Sequence, residues 1–519
     1  MDVVNEHEKK LLLISISCWF ENMTRLLKWM EISGASRDVM QNAPNLLKKF
    51  ARQFDHPDIS LPIKLQVNKQ LDKLSKSSAR LSKRGRSDMS MLPLTVQVPC
   101  ERDLAAMKKM VAGGRDDQQQ RIQKIKDAVY KYFPEERIVE TRALNSDYWV
   151  DRLPWDIVCE CIRRNDPVLL DMAFANISAD DPLLEALLVA HSREHLFFVM
   201  HQCAKLGPDE HRELVPGEPD VMIGQHSFEL FIYDMISSIE QRRSLNLSFG
   251  LPTHHAAHDK ANGFCVFNKT AALMAFEQAR VRGKRNLHLH HMIVGLDVNR
   301  DNGLNRINME DKSEMFVTHL DVYDPGVYPW DTVEDINAQL GQEGVKENKM
   351  TVWQKEFHTY KSIDLADPDL QRKGNERHPI IDLVLSELET ALIIAAAHKE
   401  SVIIYLPTGW DSHVGETAAA GKMVHGRWLT PKQSHARRFN DADWTYFNEA
   451  FMDMVQRYSS NIVRVYWQLE GGYADQVNQN QVAILANTWL DSKKELSPPG
   501  PSSSHAESSE PGRVLRQRR

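Results

Sequence analysis

Cysteine is scarce: six in 519 residues, scattered as Cys18, Cys100, Cys159, Cys161, Cys203 and Cys265. So thin a set builds no disulfide framework, and the two-residue offset of Cys159 and Cys161 fits no zinc knuckle. Reduced, buried thiols and a cytoplasmic location are the expectation. Long apolar runs are also missing. The longest early one, Leu11 to Phe20, is too short to cross a bilayer, so no membrane span is expected. It leads into Glu21-Asn22-Met23 with no small-residue cleavage pattern, which argues against a secretory leader. Nor is there an excess of positive charge: 64 Lys and Arg face 71 Asp and Glu, for a net charge of −7. The molecule as a whole therefore carries no nucleic-acid footprint. Internal repeats are absent.

What remains is an ordinary globular composition, 42% apolar and 26% charged. The length favours one large domain plus an accessory region. Residues 1–125 read as polar and helical, with Leu26, Trp29 and Met30, then Leu46, Leu47 and Phe50, at helical spacing. Within them, residues 64–86 form a basic segment with Leu71, Leu74 and Leu81 on one side. It reads as a solvated helix face or linker, or else as a patch for nucleic acid, anionic lipid or an acidic partner. From about residue 140 the texture changes. Apolar, β-branched runs at His291–Val298 and Val402–Leu406 alternate with helical stretches at Thr270–Arg282 and Ile380–His398. That alternation predicts an α/β fold, a mostly parallel sheet with helices on both faces. The Ser/Pro/Gly/Glu-rich tail, residues 497–519, cannot bury enough apolar surface to fold and is expected to be disordered.

Four separated segments carry chemical residue types. LPTHHAAHDKANGFCVFN (251–268) places His254 beside His255 and continues into Gly263-Phe264-Cys265 and Asn268. IVGLDVNRDNG (293–303) is a buried strand running into Asp297; by strand alternation Asn299 falls on the same side. The carboxyl edge of such a sheet is where α/β proteins place ligands. VIIYLPTGWDSHVGE (402–416) is a second apolar strand ending in Gly409-Trp410-Asp411. LEGGY (469–473) offers two glycines for a tight turn that can aim Tyr473 inward.

In order and content these segments resemble the histone deacetylases, in particular the class II-like and bacterial members. LLVAHSREHL (187–196) adds a weaker match, so the resemblance covers about residues 135–490. It implies an arginase/deacetylase-like fold, with residues 1–125 and the tail outside it. Also implied is a zinc-type amidohydrolase acting on an acylated protein, histones among the candidates, or on a small acetylated amine. His255 would serve as general base and acid, with His254 as its electrostatic neighbour and Tyr473 as the oxyanion donor. Asp297 and Asp411 would bind metal, joined by whatever stands at 299. Phe264 and Tyr328 would line the acyl-lysine channel. Asn302 would orient His255, and His413 would support the ligands from behind or be purely structural.

Three departures stand out. Asn299 occupies the position of a histidine ligand, so Zn2+ or another divalent ion such as Mg or Mn fits the donor set. Gly295 replaces the aspartate that pairs with the first histidine, so His254 is expected to lack an orienting carboxylate. Thr253 and Gly250 do not reproduce the family's Arg-Pro-Pro-Gly lead-in. Two functions therefore stay open, a metal-dependent deacetylase and a catalytically weak deacetylase-like module that binds acylated lysine or a protein partner. An arginase-like reading ranks behind both, because that family's metal-bridging His and Asp runs are missing. The oligomeric state is not readable.

Overall fold

The structure is a computed structural model that describes residues 94–490, apart from 108–117, 143–151, 218–219, 242–244, 283–288, 311–314, 375, 417–421, 425–426 and 430–437. The basic segment 64–86, the helical stripes before it and the tail 497–519 lie outside the described residues.

One ten-stranded sheet organises the domain. Its strands are β1 (Leu94–Val98), β2 (Ile138–Glu140), β3 (Leu245–Ser248), β4 (Leu289–Leu296), β5 (Phe316–Tyr323), β6 (Val345–Glu347), β7 (Met350–Lys355), β8 (His358–Asp364), β9 (Ser401–Thr408) and β10 (Ile462–Leu469). Their spatial order is β2-β1-β3-β10-β9-β4-β5-β8-β7-β6. Neighbours are parallel from β2 to β8, and β7 and β6 add an antiparallel margin. The expected α/β sheet covered on both faces is what the chain forms. LHHMIVGL, SVIIYLPT and IVRVYWQL are almost wholly buried, as strands sandwiched between helices must be.

The helices start on explicit signals. Asn268 caps Lys269–Val281 by accepting from the Ala271 N–H, His378 and a proline open Pro379–His398, and an Asn440/Asp443 capping box opens Asp441–Arg457. Among the described residues, no helix is long and apolar enough to cross a membrane.

One boundary moves. The region 1–125 was expected to be helical and accessory, yet Leu94–Val98 is a fully buried strand of the central sheet. The alternating β-branched run LTVQV pairs with β2 and β3. The polar-looking helix Gln118–Tyr132 also belongs to the domain, burying Ile122, Ile125 and Val129.

The strand order decides which loops meet. Consecutive β3 and β4 are held apart by β10 and β9, so loops from four adjacent strands leave the sheet side by side. Their ends are nearly flush: Ser248 pairs with Gln468, Leu469 with Thr408, and Thr408 with Leu296.

Candidate active site

At this carboxyl edge the loop after β3 carries His254 and His255, and the loop after β4 carries Asp297 to Asp301, with Asn302 opening the helix that follows. The loop after β9 carries Asp411, and that after β10 carries Glu470 to Tyr473. Extended alternation does not place Asn299, because β4 ends at Leu296. Asp297 to Asn299 instead form a turn in which the Asn299 N–H donates to Asp297 Oδ1 at 2.7 Å.

The two imidazoles lie 3.9 Å apart between ring centroids and are nearly fully buried. His255 Nδ1–H donates to Asn302 Oδ1 at 2.6 Å, which leaves the Nε2 lone pair for the site. Burial and then the charge on His254 hold the His255 imidazole well below its usual pKa, so it is a neutral base.

His254 does not lack a carboxylate. Its Nδ1–H donates to Asp301 Oδ1 at 2.6 Å, and Asp301 Oδ2 accepts from His319 Nε2–H at 3.0 Å. The expectation from Gly295 is overturned, and the glycine itself supplies the reason. A Cβ at position 295 would sit 2.3 Å from Asp301 Oδ2. The missing side chain on β4 is the space that a carboxylate from the next loop fills. Burial works against charging His254, but Asp297, Glu470 and Asp301 outweigh it and push its pKa up to about 10.

Behind Asp301 lies Asp321, which pairs with Gly295 across β4 and β5. Its Oδ2 accepts from the Asp301 N–H at 3.1 Å and from Tyr360 Oη at 2.8 Å. Asp301, His319 and Asp321 bring ligand atoms within 4.8 Å of one another, but these hydrogen bonds already engage most of them.

Asp297 and Asp411 meet over two glycines. A Cβ at Gly409 would fall 1.7 Å from Asp297 Oδ2 and 2.5 Å from Asp411 Oδ1, and one at Gly471 would fall 1.9 Å from Asp411 Oδ2. Only bare backbone lets both carboxylates occupy this space. The Gly471 N–H donates to Asp297 Oδ2 at 3.1 Å, and His254 Nε2 stands 4.0 Å from the same oxygen. Burial, then the charges of Asp297 and Glu416, lifts the Asp411 carboxyl well above its usual range; burial also lifts Asp297, against the pull of His254. Adjacent buried carboxylates of this kind suit a cation between them. Asn299 lies alongside with its Nδ2 donating to the Tyr328 carbonyl at 2.7 Å, so its amide oxygen is the atom left to serve as a donor. The resulting donors are all hard oxygens, which fit a divalent ion.

Tyr473 follows a turn that Arg121 holds. This buried guanidinium donates to the carbonyls of Glu470 (2.6 Å), Gly471 (3.0 Å) and Gly472 (2.7 Å), and stacks 4.8 Å above the Tyr473 ring centroid. Glu416 accepts the Tyr473 and Ala474 N–H groups at 2.5 and 2.9 Å. Tyr328 meets His255 edge-on at 5.0 Å, and Gly263 threads between them, since a Cβ there would strike both rings. Phe264 follows, 40% exposed. His413 turns to Asp441, 3.2 Å away, and accepts the Gly415 N–H.

Sequence reasoning missed Asp301, His319, Glu470 and Arg121. Asp301 and Glu470 sit inside two of the four motifs; Glu470 binds Thr253 through both its N–H and its hydroxyl. Arg121 lies in a stretch that reads only as polar and helical. His191, from the weaker 187–196 match, proves to hold the His-pair loop: its Nε2 accepts from the Asn268 N–H, and its Nδ1–H donates to the Ala257 carbonyl.

Fold and site together define an α/β protein that gathers an imidazole pair and a carboxylate pair where four parallel strands end. A family model for the histone deacetylase domain matches residues 155–489, well over half of the chain, and the chain belongs to the histone deacetylase family. It is similar to Histone deacetylase 6 of Caenorhabditis elegans, at 37% identity over 67 residues, which cover 13% of this chain and 6% of that protein. It is also similar to a probable deacetylase of Methanothermobacter thermautotrophicus, at 37% over 68 residues, covering 13% and 19%. Both matches thus span less than a fifth of the relative's length. Among solved structures it resembles the HDA15 HD domain, with 14% identity, 76% of this chain and 89% of that one covered, and a TM-score of 0.44. An HDAC homolog from Aquifex aeolicus gives 17%, 76%, 83% and 0.42.

Proposed function

We propose that this protein is a divalent-metal-dependent deacetylase that hydrolyses the amide of an acylated amine, an acyl-lysine of a protein or a small acetylated amine. The observation that carries this reading is His255, oriented by Asn302 and packed on His254, whose Nε2 stands 4.0 Å from the buried Asp297–Asp411 pair. Asp297, Asp411 and the Asn299 amide oxygen would hold the ion, zinc or a harder cation, and Lewis-acid polarisation of the acyl carbonyl is what it would supply.

The side chains divide the remaining work. His255 takes a proton at Nε2 from the attacking water and returns it to the leaving amine, since a neutral imidazole whose Nδ1–H is fixed can do both. His254, charged and clamped by Asp301, stabilises negative charge nearby. The Tyr473 hydroxyl donates to the oxyanion. Tyr328 and Phe264 flank the methylene chain of the substrate and exclude water.

A second reading, a binding module without turnover, has Asn299 in its favour. A neutral amide engaged by the Tyr328 carbonyl is a weaker donor than an imidazole. The deciding experiment is metal analysis of the purified protein together with fluorophore release from an acetyl-lysine substrate under added Zn, Mn or Mg. The deacetylase reading expects about one ion per chain, turnover abolished by chelator, and rates lowered at least ~100-fold in His255→Ala and Tyr473→Phe. Inactivity with every ion, combined with activity in Asn299→His, would establish the binding module instead.

A further inference from the structure

We propose that the cleft beside the loops after β1 and β2 is a second ligand site, for a small organic molecule bearing a phosphoryl group. It lies toward the β2 end of the sheet, off the four strands that carry the candidate active site, and it requires no deacetylase activity.

The cleft has a volume of about 450 Å3. Its floor is Glu229, a buried carboxylate on the helix Ser227–Ile239 that serves several cations at once. Arg102 Nη2 and Arg142 Nη1 each donate to it at 2.8 Å, Arg163 Nη1 at 2.6 Å, and His226 Nδ1 stands 3.4 Å away. Arg142 has a second partner in Asp103, while Glu160 is shared by Arg163 and Arg164. Four guanidiniums therefore face three carboxylates. Burial alone would raise the Glu229 carboxyl, but His226 and the arginines outweigh it and hold it below the usual range, so it offers no proton.

Of these guanidiniums, Arg102 and Arg142 line the cleft. Arg102 spends Nη2 on Glu229, and among the described residues its Nε and Nη1 have no acceptor, on a side chain that is 42% exposed. His226 and His211 each bond through Nδ1, to Glu229 and to the Asp209 carbonyl, which leaves both Nε2 atoms. The exposed Asp209 carboxylate at the rim is the opposing charge. A guanidinium edge and two imidazoles converging from different elements suit a tetrahedral, doubly charged acceptor better than a flat, singly charged one. Ala105, Ala106 and Pro208 form an apolar wall. That wall, and a volume well beyond one phosphate ion, call for an organic body on the phosphoryl group.

The test is calorimetric titration of the full chain with phenyl phosphate, with benzoate and inorganic phosphate for comparison. The proposal expects saturable binding of phenyl phosphate with Kd below about 1 mM. Benzoate should bind at least ~10-fold more weakly, and inorganic phosphate should fall between. Arg102→Ala should weaken binding at least ~10-fold, and Tyr473→Phe should leave it unchanged. If Arg102→Ala unfolds, His226→Gln keeps the arginine contacts to Glu229 and should still weaken binding several-fold. Absence of saturation, equal affinity for benzoate, or wild-type affinity in a folded Arg102→Ala or His226→Gln variant overturns the proposal.

Discussion

The imidazole side and the carboxylate side of the site each depart from the family pattern, one at the end of β4 and one in the loop after it, and they answer differently. On the imidazole side, glycine at 295 removes a carboxylate, and Asp301 returns one to His254 at 2.6 Å. On the carboxylate side, Asn299 stands where the family resemblance places an imidazole donor, and its amide nitrogen turns to the Tyr328 carbonyl. The difference reflects what each loss would cost. A buried, charged His254 without a partner is expensive to the fold, so the first change needs compensation. An amide that finds a backbone carbonyl leaves the fold content, so the second persists. Folding demands the support of the imidazoles; only function demands a particular metal donor.

The sharpest way to break that comparison is Asp301→Ala. It strips both His254 and His319 of their carboxylate, and loss of one partner from a buried ion pair costs about 3–5 kcal/mol. Thermal unfolding should register this as a large drop in midpoint, and turnover should fall at least ~100-fold through kcat with little change in KM. The exchange variant Gly295→Asp with Asp301→Gly moves the carboxylate back to β4 and should recover most of both losses. Gly295→Asp alone should be as damaging as Asp301→Ala, since its Cβ would lie 2.3 Å from the Asp301 carboxylate.

A subtler break acts behind the same imidazole. Burial, followed by the charge of Asp301, raises Asp321 to about 7, and its buried Oδ1 has no partner among the described residues. An unfolded aspartate titrates near ~3.9, so between about pH 4 and 7 the folded state holds a proton that the unfolded state has released. Stability must therefore fall as pH rises through that window and stay lower above it. Asp321→Asn keeps an oxygen for Asp301 N–H and Tyr360 and places an N–H where the orphan oxygen was. The variant should gain on the order of 2–4 kcal/mol relative to wild type at pH 8 and much less at pH 5. Equal gains at both pH values would show that Asp321 is ionised throughout.

Much of this was legible in the chain, for identifiable reasons. Buried parallel strands announce themselves as β-branched runs, so the sheet and the loops at its carboxyl edge could be read from Val402–Leu406 and His291–Val298. The His pair, Asp297, Asp411 and the glycine turn before Tyr473 could be picked out through the ordered motifs that resemble the histone deacetylases. Asp301 was not legible because its role depends on an empty volume at Gly295, six residues back and on a different element. Arg121 escaped because a polar helix looks alike whether its arginine meets solvent or three buried carbonyls. Leu94–Val98 was hidden by its neighbours, a short strand whose pairing partners lie forty and one hundred and fifty residues downstream.

Arg121 gives the next test, of intermediate size. Arg121→Ala leaves three carbonyls of the Glu470–Gly472 turn without their donor, at a cost of about 1–3 kcal/mol. It also frees the Tyr473 ring, so turnover should drop roughly 10- to 100-fold while metal content stays at wild-type level. Arg121→Lys, a point charge that cannot span three acceptors, should recover stability better than rate.

The smallest effect belongs to two exposed aromatic residues, Trp330 and Phe264. Trp330 is 65% exposed and packs edge-on against Tyr328 at 5.3 Å, and Phe264 is exposed as well. Neither ring is buried enough to stabilise the fold, so Trp330→Ala and Phe264→Ala should change stability by no more than about 0.5 kcal/mol. If these rings grip chain on either side of an acylated lysine, both variants should raise KM for an acetylated peptide several-fold. The rate on a free acetylated amine, which has no flanking chain to grip, should be untouched. Equal losses on both substrates would place the aromatic contact inside the channel, on the methylene chain itself, and would make the acylated amine alone the unit this site reads.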